Sequence, residues 1–389
     1  MNVLVINAGS SSLKYQLLDV DTGEVFAKGN CERIGIDGSF IGHQERGGEK
    51  EKLVVELPDH KTAVKHVFEI IDGLGLPVDG IGHRVVQGGW YFPESAVVDD
   101  EVLAKVREVA PLAPLHNYAE ADVVEICREL YPSLGNVIVP DTAFHYNMPE
   151  RAWRYALPRD VVDRLHVRKY GAHGTSHRFI WRAVQEFTDG ACHKLVSCHL
   201  GSGASLCAVE DGRSVETTMG LTPLDGLIMG TRCGTLDPAT VFYLQREGGY
   251  TVDEVDTMMN KQSGLLALSD ISSDSRDIEE AAAKGDEKAE VALDMFAYRA
   301  AQLILEMAEA MEGFDTIAFS AGIGENSDDA RARICAKLAW MGVKLDDAKN
   351  AVRSDEVREI SAADSAIRVL VVPTNEELMI ALDVQEKLA

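Results

Sequence analysis

The chain has 389 residues, 46% of them hydrophobic and 26% charged, enough for a large core spread over two or three domains and unlike a disordered chain. Its 38 Lys and Arg against 63 Asp and Glu leave a net charge of −25. That excess argues against nucleic acid or an anionic membrane as the main partner, because both call for a basic face. No apolar run approaches the length of roughly 18 residues that a membrane span needs. The start, Met1–Asn7, lacks the basic and long apolar regions of a signal peptide, so a cytoplasmic protein is expected. Seven cysteines at irregular spacing read as free thiols of a reducing compartment. Cys192-His193 and Cys198-His199 look like metal-ligand pairs, but no second pair at finger spacing accompanies them.

In chain order, the apolar run Val3–Ile6 predicts a buried strand. It ends in the small-residue turn Asn7–Ser12 and resumes over Leu13–Leu18, which is a hairpin pattern. The segment Gln44–Lys52 is polar and Gly-bearing and reads as a solvated loop. Val64, Val67, Phe68 and Ile71 recur at helical spacing before Gly73 and Gly75, as do Val123, Val124, Ile126 and Leu130 before Pro132. A second hairpin is expected where Leu195–His199 meets the turn Leu200–Ser205 and continues over Leu206–Val209. The longest helix is predicted over Glu287–Glu312, burying Ala292, Met295, Phe296, Ala300, Leu303, Ile304, Met307 and Met311. A third Gly-rich turn, Ser320–Ser327, then opens a helix from Asp328 with Ile334 and Leu338 inward. Strands alternating with helices make the chain α/β. The hairpins near residues 3 and 195 suggest duplication.

The chemistry concentrates in these turns. Glycines let backbone approach an anion; each turn alone is more often simply a structural tight turn, but three of them in one acidic chain point towards phosphate handling, with no Walker or Rossmann spacing present. Arg84 and Arg232 stand beside glycines, where a guanidinium serves a carboxylate, a phosphate or a surface ion pair. Asp141 follows an apolar run, a position suited to Mg2+, to a proton or to turn capping. His116 and His173 sit in turn-like, uncharged settings.

Several motifs in fixed order resemble the acetate/propionate kinase family: Asn7–Lys14, Gly82–Gly89, Ala113–Asn117, Asp141–His145, Tyr170–His177, His199–Ser205, Gly230–Pro238, Gly322–Ser327 and Thr374–Ile380. The resemblance implies a duplicated two-domain, actin-like or sugar-kinase-like ATPase fold with a nucleotide cleft between the domains. It places an N-terminal domain at residues 1–145 plus 378–389 and a nucleotide-binding, dimerising domain at 146–377. It also implies a homodimer that phosphorylates acetate or another short-chain carboxylate from ATP, reversibly, with Mg2+ or Mn2+. The family pattern assigns the metal to Asn7 and Glu376, and the nucleotide to Ser12, Lys14, His199, Leu200, Gly201, Ser202, Gly203, Asp274, Ser275, Arg276, Gly322, Ile323, Gly324, Glu325 and Asn326. Catalysis would fall to Asp141, His173 and Arg232. The acid would lie against Arg84, with His116 nearby and Val86, Leu115, Ala172 and Pro223 around its methyl group. Alternatives are a propionate or broad short-chain acyl kinase and, from another class, an actin-like or chaperone-like ATPase with no carboxylate acceptor.

Gln87, Ser202, Cys233 and Thr235 depart from the family pattern, and Tyr118-Ala119-Glu120 is not its usual continuation after Asn117. Ala172 stands where the family usually has Phe, which would widen the acyl pocket.

Overall fold

The computed structural model describes residues 1–114 and 116–389; Leu115, assigned above to the acyl pocket, lies outside the described residues. The chain divides into two compact units, Met1–Tyr146 with Asn375–Ala389, and Asn147–Thr374.

The first unit is built on a mixed eight-stranded sheet of β1 (Asn2–Ala8), β2 (Ser12–Asp19), β3 (Val25–Glu32), β4 (Phe40–Glu45), β5 (Glu51–Val54), β6 (Gly80–Val85), β7 (Ala96–Val97) and β8 (Gly135–Pro140), ordered β5-β4-β3-β2-β1-β6-β8-β7. β1 is apolar on both faces because both are covered. Leu4, Ile6 and Ala8 join a core with Val64, Val67 and Phe68 of the helix His60–Gly73, while Val3 and Val5 meet Ile380, Ala381 and Val384 of the C-terminal helix Glu376–Leu388. The alternation follows from the two-residue period of a strand. The segment Gln44–Lys52 is a loop only over residues 46–50: its two ends belong to the strands of the β4–β5 hairpin, with His43 opposite Glu51. Its polar residues are those of a strand pair at the sheet edge, where charge is tolerated and protective.

Glycines set how closely the C-terminal helix approaches β6. A methyl group at Gly82 would lie 2.6 Å from Ile380 Cγ2 and 2.8 Å from Val384 Cγ2. We expect Gly82→Ala to destabilise the protein by about 1–3 kcal/mol through overpacking, and to push Glu376 away from Arg84. Urea unfolding checks this, and an unchanged midpoint would mean that the helix shifts without cost.

The second unit repeats the plan in a six-stranded sheet: β9 (Lys194–Leu200), β10 (Ala204–Glu210), β11 (Arg213–Thr217), β12 (Thr316–Ser320), β13 (Arg358–Glu359) and β14 (Arg368–Val371), ordered β11-β10-β9-β12-β14-β13. As β1 is antiparallel to β2 and parallel to β6, so β9 is antiparallel to β10 and parallel to β12. The helix Glu287–Ala310 buries Ala292, Phe296, Ala300, Leu303, Ile304 and Met307 against this sheet. It ends two residues before the predicted Glu312, and Met295 is 39% exposed rather than buried. The turn Gly322–Asn326 is itself helical, within Ala321–Asn326. All seven cysteines are free. Among the described residues no helix is long and apolar enough to cross a membrane.

Candidate active site

In the first unit, β1, β6 and β8 run parallel, with Ile6 beside His83, and Arg84 and Val85 beside Val139 and Pro140. Their carboxyl ends therefore bring Asn7, Arg84 and Asp141 to one edge, the end of a parallel sheet where ligands bind. Arg84 Nη2 donates to Asp141 Oδ2 at 2.5 Å, and its Nε lies 4.0 Å from Glu376 Oε2. Asp141 is fully buried and Arg84 is 16% exposed. Arg84 Nε is buried with no hydrogen-bond partner among the described residues, its nearest acid being Glu376 at ion-pair distance. Burial alone would lower the guanidinium's pKa, but the carboxylates of Asp141, Glu376 and Glu120 override it and raise it. Arg84 is a permanent cation ringed by acids. Burial pushes Glu376 up to about 7 against the downward pull of Arg84.

Around this centre, Lys14 pairs with Asn7 across the β1–β2 hairpin and is exposed. Ser12 closes the turn, its carbonyl accepting from Gly9 N at 2.8 Å. His116 is half-buried and directly precedes the helix Asn117–Leu130. Mg2+ prefers oxygen donors, takes only one or two carboxylates and keeps several waters. The amide of Asn7 and the carboxylates of Asp141 and Glu376 fit that donor chemistry. In the Cys-His pairs, Cys192 donates to Asp315, His193 hydrogen-bonds Asp211 and His199 Nδ1 bonds Ser176; among the described residues no group of three or more His, Cys, Asp or Glu is placed to hold a metal.

Sequence reasoning missed Glu120. It is 2% exposed on the first turn of Asn117–Leu130, where its Oε2 accepts from Val86 N at 3.0 Å. Burial raises its carboxyl to about 8, with Arg84 and the Val86 N–H pulling it back down. The folded protein thus holds a proton on Glu120 that the unfolded chain releases near the ordinary value of 4.5. Stability contributed by that proton is full below the unfolded value and is lost as pH rises towards about 8. Urea titrations between about pH 5 and pH 8 should show a decline of up to ~1.4 kcal/mol per pH unit, flattened in Glu120→Gln. An equal slope in the variant would remove Glu120 as its source.

In the second unit, three separated segments converge on Gly203. A methyl group there would lie 3.5 Å from Arg232 Nη1 and 3.7 Å from His173 Nε2. His173 precedes the helix Gly174–Phe187 in a left-handed conformation, φ 56° and ψ 24°, a strained state for a side chain this size and the kind that collects at functional sites. Its Nδ1 hydrogen-bonds Ser205 Oγ at 2.9 Å and its ring stacks on His199 at 4.1 Å. Ser176 in turn holds His199 Nδ1 at 2.8 Å, and His177 bridges Ser197 and Ser205. These supporting residues were visible only as neighbours of His173 and His199 in the motifs. Arg232 Nη1 donates to Pro223 O at 3.1 Å, and no carboxylate among the described residues pairs with it. Burial lowers its pKa, so a half-buried cation waits without a counter-charge.

A cavity of about 590 Å3 in the same unit is lined by eight of the predicted residues: Gly201, Ser202, Asp274, Ser275, Arg276, Gly322, Ile323 and Asn326. That volume is in the range of ligand sites. Ser273, Glu279, Ser327 and Arg353 complete the lining; Ser327 closes the Gly322–Ser327 motif without having been assigned a role, and the motifs did not reach the other three. Gly324 and Glu325 are not on its wall. Gly324 packs on Phe319, and Glu325 Oε1 accepts from Ala321 N at 2.7 Å and Thr374 N at 3.1 Å, bracing the turn. Of the expected acyl-pocket residues, Val86 is buried in the first unit, whereas Ala172, 3% exposed, packs with Val196 and Leu200 in the core of the second.

Residues 2–382 match the acetokinase family model. The chain belongs to the acetokinase family. It is 48% identical to acetate kinase 2 of Clostridium perfringens over 98% of both chains. It is also similar to the crystal structure of Porphyromonas gingivalis acetate kinase, with a TM-score of 0.94, 39% identity and full coverage of both chains. A propionate kinase from Francisella tularensis matches with a TM-score of 0.94 at 36% identity over 99% of both chains. Against this acetokinase background, the departures have structural roles. Gln87 Oε1 accepts from Gly89 N at 2.8 Å, Thr235 Oγ1 donates to Asp225 at 2.6 Å, and Ser202 keeps its hydroxyl on the cavity wall.

Proposed function

We propose that the chain transfers the γ-phosphoryl group of ATP reversibly and directly to acetate, giving acetyl phosphate and ADP. The observation that carries this reading is the buried Nε of Arg84, which has no hydrogen-bond partner among the described residues, set among Asp141, Glu376 and Asn7. An acid with a pKa of about 4 is already ionised near neutrality, so the attacking oxygen needs no strong base. The reaction needs its two anions positioned and their repulsion relieved. Arg84 binds the acceptor carboxylate. Arg232 and His173 stabilise charge on the transferring group, and Asp141 positions metal and water. Asn7 and Glu376 would hold Mg2+, which would supply charge neutralisation on the phosphates. The cavity beside Gly201 and Gly322 takes the nucleotide.

A longer acyl chain is the second reading, favoured by the small side chain at Ala172. Its test is Mg2+- and ATP-dependent acyl phosphate formation, trapped with hydroxylamine, across formate, acetate, propionate and butyrate. We expect an acetate maximum, because Ala172 already fills a core position. A propionate maximum that Ala172→Phe moves back to acetate would establish the second reading. ATP hydrolysis with no acyl phosphate from any acid would overturn both.

The homodimer reading is supported by the helix Ala239–Arg246, which has no buried residue and exposes Phe242 and Tyr243, with Val252 exposed nearby. Sedimentation should give a dimer that Phe242→Asp dissociates.

A further inference from the structure

Beyond Val85 the β6–β8 ladder ends, yet the chain stays buried through Gly89. Its backbone groups must therefore find partners elsewhere. Glu120 Oε2 takes the N–H of Val86. Asn117 takes both polar groups of Gln87, Oδ1 accepting from its N–H at 3.1 Å and Nδ2 donating to its carbonyl at 2.7 Å. Thr142 Oγ1 takes the N–H of Gly88 at 3.0 Å, and Gln87 that of Gly89. Asn117 and Glu120 are 0% and 2% exposed. Two side chains from one helical turn thus fix the segment immediately after Arg84.

Glu120 does more than close this account. Its Oε2 is the acceptor on which the buried Val86 N–H depends, two residues beyond Arg84. Its Oε1 is buried without a hydrogen-bond partner among the described residues.

Building on the reading of Arg84 as the carboxylate anchor, we propose that Glu120 is a positioning residue for the acceptor subsite, holding Val86 and the reach of Arg84 so that a short acid is seated in one orientation. Glu120 acts through the Val86 N–H and takes no part in the phosphoryl transfer itself. Loosening it moves the wall formed by Val86, and so alters which acid fits as well as how tightly it binds.

The test compares Glu120→Ala with Glu120→Met, which fills the space but offers no acceptor, and Glu120→Gln, which keeps one. Losing a buried hydrogen bond to a carboxyl should raise KM for acetate on the order of tenfold in the first two. KM for ATP and kcat should change far less, the propionate-to-acetate ratio of kcat/KM should rise, and Glu120→Gln should restore the acetate KM. Hydrogen exchange at the Val86 amide, followed in the full chain, gives a readout independent of activity: it should quicken in Glu120→Ala and Glu120→Met only. If wild type makes no acyl phosphate, the acceptor reading fails, while the exchange experiment still decides the clamp. Unchanged exchange together with an unchanged acetate KM in Glu120→Met would overturn the proposal.

Discussion

Arg84→Ala is expected to lower kcat/KM for acetate on the order of a thousandfold, the upper range for removing a preorganised donor. The substitution removes the buried cation whose Nη2 holds Asp141 and whose Nε has no hydrogen-bond partner among the described residues. Asp141 is fully buried, and without Arg84 it is an uncompensated acid beside Glu120 and Glu376. Breaking one side of such a pair costs about 3–5 kcal/mol of stability, so urea unfolding should fall in parallel. ATP binding should survive, because the cavity proposed for the nucleotide is built from the second unit. A thermal shift on adding ATP separates a folded variant that has lost its acceptor from one that has merely unfolded. An acetate KM within about twofold of wild type would contradict the anchor role, since that interaction is worth far more.

Arg232→Ala should lose about a hundred- to a thousandfold in kcat with the opposite signature in stability. Arg232 is half-buried, its pKa lowered by that burial, and no carboxylate of the described residues neutralises it. A cation held this way costs stability in the free enzyme and is useful only when phosphate charge arrives, the usual trade between stability and activity. The variant should therefore unfold at the same or a higher temperature, with its acetate KM little changed. A clear loss of stability would mean that Arg232 is a structural residue. The strained backbone of His173, and its position 3.7 Å from the same point over Gly203, mark it as the second member of this pair.

The architecture was legible where burial leaves a one-dimensional trace. Val3–Ile6 is continuous in apolar residues because both faces of β1 are covered, and the spacing of Val64, Val67 and Phe68 reports one helical face. Where burial is partial the trace fails. Met295 fits the apolar pattern of its helix but lies exposed, and the polar residues of Gln44–Lys52 hide an edge hairpin. Arg84, His173 and Arg232 were legible as chemistry beside glycines, and Asp141 at the end of an apolar run, but their partners were not. Arg84 and Asp141 are 57 residues apart in sequence, and only the parallel register of β6 and β8 brings them together. Glu120 was marked only as part of Tyr118-Ala119-Glu120, a departure from the family pattern, and an acid in the first turn of a helix is ordinarily a solvated one that favours the dipole. Its burial depends on the segment after Val85 having no strand partner.

The central claim is that the γ-phosphoryl group passes from ATP to a carboxylate without a protein intermediate. Rapid-quench experiments with γ-labelled ATP, Mg2+ and acetate follow the label directly. The account predicts that it appears in acetyl phosphate in the first turnover while none is protein-bound. Label trapped on the protein at a rate that accounts for turnover, or released only as inorganic phosphate, would contradict it.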